Sequence, residues 1–244
     1  MHLEQTNFSW VDFHNKVKSK YFEIDKHLWW GDDLDVRFYL LKQLSEIQNK
    51  KILDIGCNVG ITLNLLNKTN KLYGIDVDND CIVKAKNLVK NAQIIRASMD
   101  KLPYDDKSFD IIIMMNVMPY YDFHLSVANR KDFITDTFNE AYRVLRDDGI
   151  IYLTTPNGSS VSYINCNKAS IDNVNSAFEK FDINICGWNN FKPLFPMLPR
   201  KFKFFPPKIL CKFEFIWKRL VSSLSFDEEK SKYFYIKATK ILIE

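Results

Sequence analysis

The residues best suited to chemistry lie in two short stretches. Leu53-Asp54-Ile55-Gly56-Cys57-Asn58-Val59-Gly60 is followed by Gly74-Ile75-Asp76-Val77. An apolar run leading into a glycine-bearing turn, then a second apolar run ending in an acid, can hold a nucleotide. The glycines let the backbone approach a ligand, and the free N–H groups of the next helix face it. Asp76 can take both hydroxyls of a ribose. Glycine is scarce elsewhere: seven occur in 244 residues, under half the usual share of about 7%. Two of the seven stand in this turn and a third precedes Asp76, so they mark a site.

Alternating strands and helices must position these residues. Lys51–Ile55 predicts a strand, Ile61–Asn67 a helix, Lys71–Ile75 a strand and Asp78–Asn91 a helix with Ile82, Ala85 and Val89 on one face. Gln93–Arg96 predicts a short strand. Phe109–Met115 is almost wholly apolar, as a strand buried on both faces must be. Lys131–Leu145 predicts a helix and Gly149–Thr154 a strand. A helix near Ile171–Lys180 and a strand at Phe181–Cys186 follow, and Tyr233–Ile243 alternates as a last strand. Such alternation implies a parallel, doubly wound α/β sheet with right-handed crossovers. Before it, residues 1–50 predict a helical cap, with Leu34, Phe38, Leu41 and Leu44 at helical spacing. Trp29, Trp30, Tyr21 and His27 in this cap could stack on a ligand or pack the cap to the core.

Composition narrows the function. Net charge is only +4, so general nucleic-acid binding is not expected. Five cysteines form no CxxC pair and the four histidines do not cluster with them. No metal site is expected, and reduced thiols suit a cytoplasm. Met1 to Phe13 contain no apolar signal core. The apolar run Ile111–Met115 is far too short to cross a membrane.

Four motifs in order resemble the class I S-adenosylmethionine (SAM)-dependent methyltransferases of small molecules. They are the 53–60 and 74–76 stretches, then Leu102-Pro103-Tyr104-Asp105-Asp106-Lys107-Ser108-Phe109-Asp110, then Arg143-Val144-Leu145-Arg146-Asp147-Asp148-Gly149. Each alone is weak; their order and spacing are specific. The resemblance implies a Rossmann-like, mostly parallel seven-stranded sheet over residues 51–244 and SAM as cofactor. It places Asp54, Gly56, Asn58 and Gly60 at the methionine part of SAM, Asp76 at the ribose, Val77 in the cofactor site, and Ser98 and Met99 at the adenine. Two departures stand out. Asn58 replaces a frequent glycine, but Asn tolerates a left-handed backbone. Ser98 replaces a frequent aspartate; its oxygen can accept a bond, the Met99 side chain or N–H can meet the ring, or Asp100 can substitute. A dinucleotide G-x-G-x-x-G is opposed by Ile61 at its third glycine.

The acceptor side is less defined. Asn116 is polar directly after five apolar residues, at a strand end where ligands bind. Tyr120, Tyr121 and His124 follow; they could orient an acceptor or take its proton, or be loop packing and a surface histidine. Residues 188–232 interrupt the pattern as an insertion. Within 188–220, five prolines and large aromatics mix with eight basic residues and one acid, Glu214. That composition suits a lid over the acceptor, with or without contact to an anionic membrane. The expected function is methyl transfer to a small-molecule or lipid-like acceptor by a cytoplasmic enzyme, with or without peripheral contact to a membrane. A non-catalytic SAM-binding or membrane-surface module is the alternative.

Overall fold

A computed structural model describes residues 44, 47–117, 127–156, 178–189, 223–225 and 233–241. Eleven elements lie within them: β1 (Lys51–Ile55), α1 (Ile61–Leu65), β2 (Lys71–Asp76), α2 (Asn79–Leu88), β3 (Ala92–Arg96), β4 (Phe109–Met115), α3 (Val127–Val144), β5 (Leu145–Pro156), β6 (Phe181–Asn189), β7 (Ser223–Ser225) and β8 (Tyr233–Lys240).

The strands form one sheet in the order β3-β2-β1-β4-β5-β8-β6-β7. β3, β2, β1, β4 and β5 pair in parallel. β8 is antiparallel to both β5 and β6. The expected seven strands are present, and the sheet is mostly parallel. A short eighth, β7, pairs antiparallel with the end of β6. This corrects the insertion boundary: residues 188 and 189 are still strand, and 223–225 return to the same edge. Three residues of Ser-Leu-Ser carry no periodicity; main-chain pairing with an edge strand makes them a strand.

The two faces of the sheet are two separate cores. Leu53, Ile55, Ile75, Ile112 and Met114 pack under Ile134, Phe138, Ala141 and Val144 of α3. Ile52, Leu72, Ile94, Ile111 and Ile113 pack against Leu63 of α1 and Ile82 and Ala85 of α2. β4 serves both cores, which is why its sequence reads as an unbroken apolar run. The β4–β5 register shifts between Phe109 and Ile111, and Asp110, at that irregularity, accepts from the Lys51 N–H at 2.7 Å and from Arg146 at 2.9 Å.

Asp78 caps α2, accepting from the N–H groups of Asp80 and Cys81 at 2.7 and 3.2 Å, as short acidic side chains do at helix starts. α2 stops at Leu88, short of the expected Asn91, because Val89 turns out to φ −117° and ψ 81°. α3 begins earlier than expected and β5 is longer at both ends. Of the predicted cap, helical Leu44 is fully buried in the α1–α2 core; Trp29, Trp30, Tyr21 and His27 lie outside the described residues, as does most of the expected 171–180 helix.

Candidate functional site

The sheet order reverses between β1 and β4. β1 leads outward through β2 to β3, and the chain then crosses back to β4 on its other side. In open α/β sheets the ligand crevice lies at the carboxyl ends of the strands at such a reversal. Four segments meet at it: the 56–60 turn, Asp76-Val77, residues 97–100 and Asn116-Val117.

The turn is built from alternating left-handed residues, with φ of 71° at Gly56, 49° at Asn58 and 83° at Gly60. Asn58 therefore takes the backbone that a glycine would supply. Its side-chain oxygen accepts from the Val59 N–H at 2.7 Å and from the Cys81 thiol at 3.5 Å, which holds the turn to α2. The Cys57 N–H donates to the Ile75 carbonyl at 2.9 Å, tying the turn to β2. A Cβ on Gly56 would overlap Val117 at the exit of β4. A Cβ on Gly60 would meet Ala85 at 3.2 Å and Val89 at 3.0 Å. Gly60 thus makes room for α2, where the sequence suggested room for a ligand. Gly74 does the same for Cys57 Sγ and Leu63, each 2.9 Å from its missing Cβ.

Asp76 accepts from the Asn58 N–H at 2.8 Å on one oxygen and from the Asp78 N–H at 2.9 Å on the other. Two backbone donors orient the carboxylate at the crevice, where it is partly exposed. Asp54 lies deeper, 2% exposed on β1. Burial pushes the Cys57 thiol far up, and the Asp54 and Asp76 carboxylates add to this. Cys57 stays a neutral thiol and is no nucleophile at neutral pH.

At the end of β3, the Ala97 N–H donates to the Asp76 carbonyl at 3.1 Å, and Arg96 Nε donates to the Val77 carbonyl at 2.9 Å. The Ser98 hydroxyl donates to the Asp100 carboxylate, so these two candidates form one polar unit. Met99 is 3% exposed and belongs to the α3-side core. At the end of β4, Asn116 is itself left-handed, with φ of 53°. Its N–H donates to the Thr154 carbonyl at 2.9 Å, and the Thr154 hydroxyl donates to its side-chain oxygen at 3.1 Å. Val117 and Thr154 were missed in the sequence, since neither type signals a site. Tyr120, Tyr121 and His124 lie outside the described residues.

The comparisons with known proteins fit this geometry. A family profile described as a methyltransferase domain matches residues 53–153, which run from the first Leu of the turn motif into β5. Residues 53–153 form a class I SAM-dependent methyltransferase domain. An uncharacterised protein of Methanocaldococcus jannaschii is 28% identical over 82% of this chain and 81% of its own length. A demethylmenaquinone methyltransferase of Tropheryma whipplei is 29% identical over 55% of this chain. That alignment spans about half of the relative, 54% of its length. A TehB-like SAM-dependent methyltransferase from Corynebacterium glutamicum shares the fold, with a TM-score of 0.53 at 16% identity over 94% of this chain and 99% of that one.

The cofactor of the methyltransferase domain is SAM. The residues at the crevice fit it. Asp76 is a carboxylate oriented by two backbone donors, Ser98 and Asp100 form a polar pair, and Val117 is an apolar side chain beside Gly56, which is the mix of groups a nucleoside sulfonium needs. In the methyltransferase domain the fourth motif has a structural place as well: Arg143 lies in the last turn of α3 and reaches back to the third motif.

Proposed function

We propose that the protein transfers the methyl group of SAM to a small, lipophilic acceptor that enters at the carboxyl edge of β4, β5 and β6. The observation that carries this reading is the placement of three exits at one edge. β4, β5 and β6 end on this edge at Met115, Pro156 and Asn189. Asn189 pairs with Ser223, so residues 190–222 depart from and return to one point of that edge. The basic, aromatic composition of 188–220 suits a lipophilic acceptor, and so does the quinone substrate in the name of the Tropheryma whipplei relative.

Bound SAM supplies an electrophilic methyl group on a sulfonium. Asp54 and the 56–60 turn would hold the methionine part, Asp76 beside Val77 the ribose, and Ser98 with Asp100, beside the Met99 backbone, the adenine. Asn116, steadied by Thr154, would face the methyl end. Tyr120 or His124 would orient the acceptor or receive its proton. Methyl transfer asks mainly for in-line placement of nucleophile and methyl, which a packed strand end can provide. Residues 1–50 would cap this domain, and 188–220 would close over the acceptor and rest on an anionic membrane surface inside the cell. Among the described residues no helix is long and apolar enough to cross a membrane, so such contact would be peripheral.

Incubating the purified protein with SAM and a cell lipid extract, followed by mass spectrometry, tests the proposal. A lipid-soluble product heavier by one methyl group is expected. SAM binding without any methylated product would leave a SAM-binding module. A methylated product found only among water-soluble compounds would remove the lipophilic acceptor. Co-sedimentation with anionic vesicles that weakens with salt is expected for the membrane contact.

A further inference from the structure

Residues 97–108 link β3 to β4 without forming a helix or strand of their own. Main-chain groups in such a segment need partners from elsewhere, and α3 provides them. Glu140 Oε2 accepts from the Leu102 N–H at 2.7 Å. Arg143 Nη2 donates to the Leu102 carbonyl at 3.0 Å and to Glu140 Oε2 at 2.8 Å. Its Nε donates to Glu140 Oε1 at 2.7 Å, and its Nη1 to the Tyr104 carbonyl and to Asp106 Oδ1, both at 2.8 Å. One ion pair therefore takes both main-chain groups of Leu102. The Arg143 guanidinium holds the Glu140 carboxyl below its ordinary range. Bonds of this charge-assisted kind are the strong ones.

The clamp is not needed merely to fasten the loop. Tyr104 is already locked by edge-on contacts with Tyr73 and Phe109, at 6.0 and 4.8 Å between ring centres. Lys107 and Asp110 are tied to Asp147 and Arg146 at 2.7 and 2.9 Å. What the clamp adds is upstream. The Ala97 N–H is fixed to the Asp76 carbonyl, and Leu102 is fixed to α3. Between these two anchors lie Ser98, Met99, Asp100 and Lys101.

We propose that Glu140 and Arg143 are positioning residues for the purine end of SAM: by gripping Leu102 they set the register in which the Ser98–Asp100 unit meets the adenine amine. The inference rests on the proposed cofactor site. The buried Met99 and Leu102 side chains anchor the segment to the core, but without the clamp the Leu102 main chain loses both its partners, and a small shift misaligns a hydrogen bond whose strength falls steeply with angle. Affinity for the purine would fall while the ribose and methionine contacts remain.

Calorimetric titration of the full chain with S-adenosylhomocysteine and S-inosylhomocysteine separates this from a general loss of structure. The inosine form carries a carbonyl in place of the amine. Wild type is expected to prefer the adenosyl compound. In Arg143→Ala that preference should drop by about tenfold, the scale of one hydrogen bond to a charged group, with the inosyl compound bound nearly as before. Should Arg143→Ala fail to fold, Arg143→Lys keeps the charge beside Glu140 but cannot reach both carbonyls and Asp106 at once; the same drop is expected. Asp106→Ala, which cuts only the exposed arm, should retain the preference. Equal losses for both compounds, or an unchanged preference, would overturn the positioning role. Wild type binding neither compound would overturn the cofactor site itself, and the clamp's role with it.

Discussion

The β1–β3 side of the crevice and the β4–β6 side are built by different means. On the first, the binding surface is short turns whose polar groups are fixed locally: Asp76 by Asn58 and Asp78, Asn58 by Val59 and Cys81, Ala97 by the Asp76 carbonyl. On the second, Asn116 is fixed by Thr154 and Val117 fills the space beside Gly56, and then three long connections leave the edge. Under the proposed function the difference would match the two ligands: SAM is constant and would be held by backbone geometry, whereas an acceptor varies between enzymes and would be met by the segments between strands, which tolerate change at little cost to the fold.

The largest effect should come where the two sides touch. Gly56 has φ of 71°, and its Cβ would overlap Val117. Gly56→Val is expected to cost about 2–5 kcal/mol of stability, from left-handed strain and overpacking together, and to abolish SAM binding. Thermal and denaturant melts check this. Adding Val117→Ala should recover the overpacking part only; full recovery would show that the turn's backbone angle does not matter.

Next is the acid that defines the first side. Asp76→Ala should weaken SAM binding by about 1–3 kcal/mol, the scale for bonds to a charged group, and should loosen the turn, since the Asn58 and Asp78 N–H groups lose their acceptor. Titration with SAM measures it. Unchanged affinity would place the ribose elsewhere.

On the second side, Thr154→Val keeps the shape of a buried residue and removes the hydroxyl on Asn116. The loss should be about 0.5–1.5 kcal/mol in the barrier to methyl transfer, with SAM affinity little changed. A variant that loses SAM affinity and not turnover would move Asn116 to the cofactor side.

These contrasts also explain what was legible in the sequence. β1 and β4 were bounded to the residue, because buried strands flanked by turns have sharp apolar limits. The left-handed Asn58 followed from its place between Gly56 and Gly60 and from the chemistry of Asn. Asp76 followed from the strand before it. By contrast, β7, Val117 and Thr154 depend on partners far along the chain and carry no periodic signal. Gly60 was read as leaving room for a ligand, and the room it leaves for Ala85 of α2 carried no signal. Arg143 was visible as part of a motif, yet the motif could not say that Leu102 was its target. Local geometry leaves a mark in sequence; contacts between distant segments leave the residue but not the reason.

Acid should act on the element that spans both sides. The Glu140 carboxyl is held below its ordinary value mainly by its hydrogen bonds to Arg143. Its folded form is thus favoured when ionised. That contribution is fully present above the unfolded value of about 4.3 and is lost as pH falls through the lower folded value. Melting temperature followed from pH 6 down to 3 should fall more steeply for wild type than for Glu140→Gln. Parallel curves would show that the clamp's charge adds nothing to stability.

The smallest effect concerns the one turn residue that departs from glycine. Asn58→Gly keeps the left-handed backbone, which glycine adopts freely. It removes the acceptor that Val59 N–H and the Cys81 thiol share, and it leaves the Asn58 N–H on Asp76 intact. The lost bonds, partly exposed, and the extra freedom of glycine in the unfolded chain should together cost about 0.5–1 kcal/mol of stability. SAM affinity should change less than twofold if the side chain serves only the turn. Should affinity rise well beyond that, the Asn58 side chain occupies space that the cofactor would use, and the first side of the crevice would be less constant than its backbone suggests. Should affinity fall sharply, the amide contacts SAM directly, and the turn contributes a side chain as well as a shape.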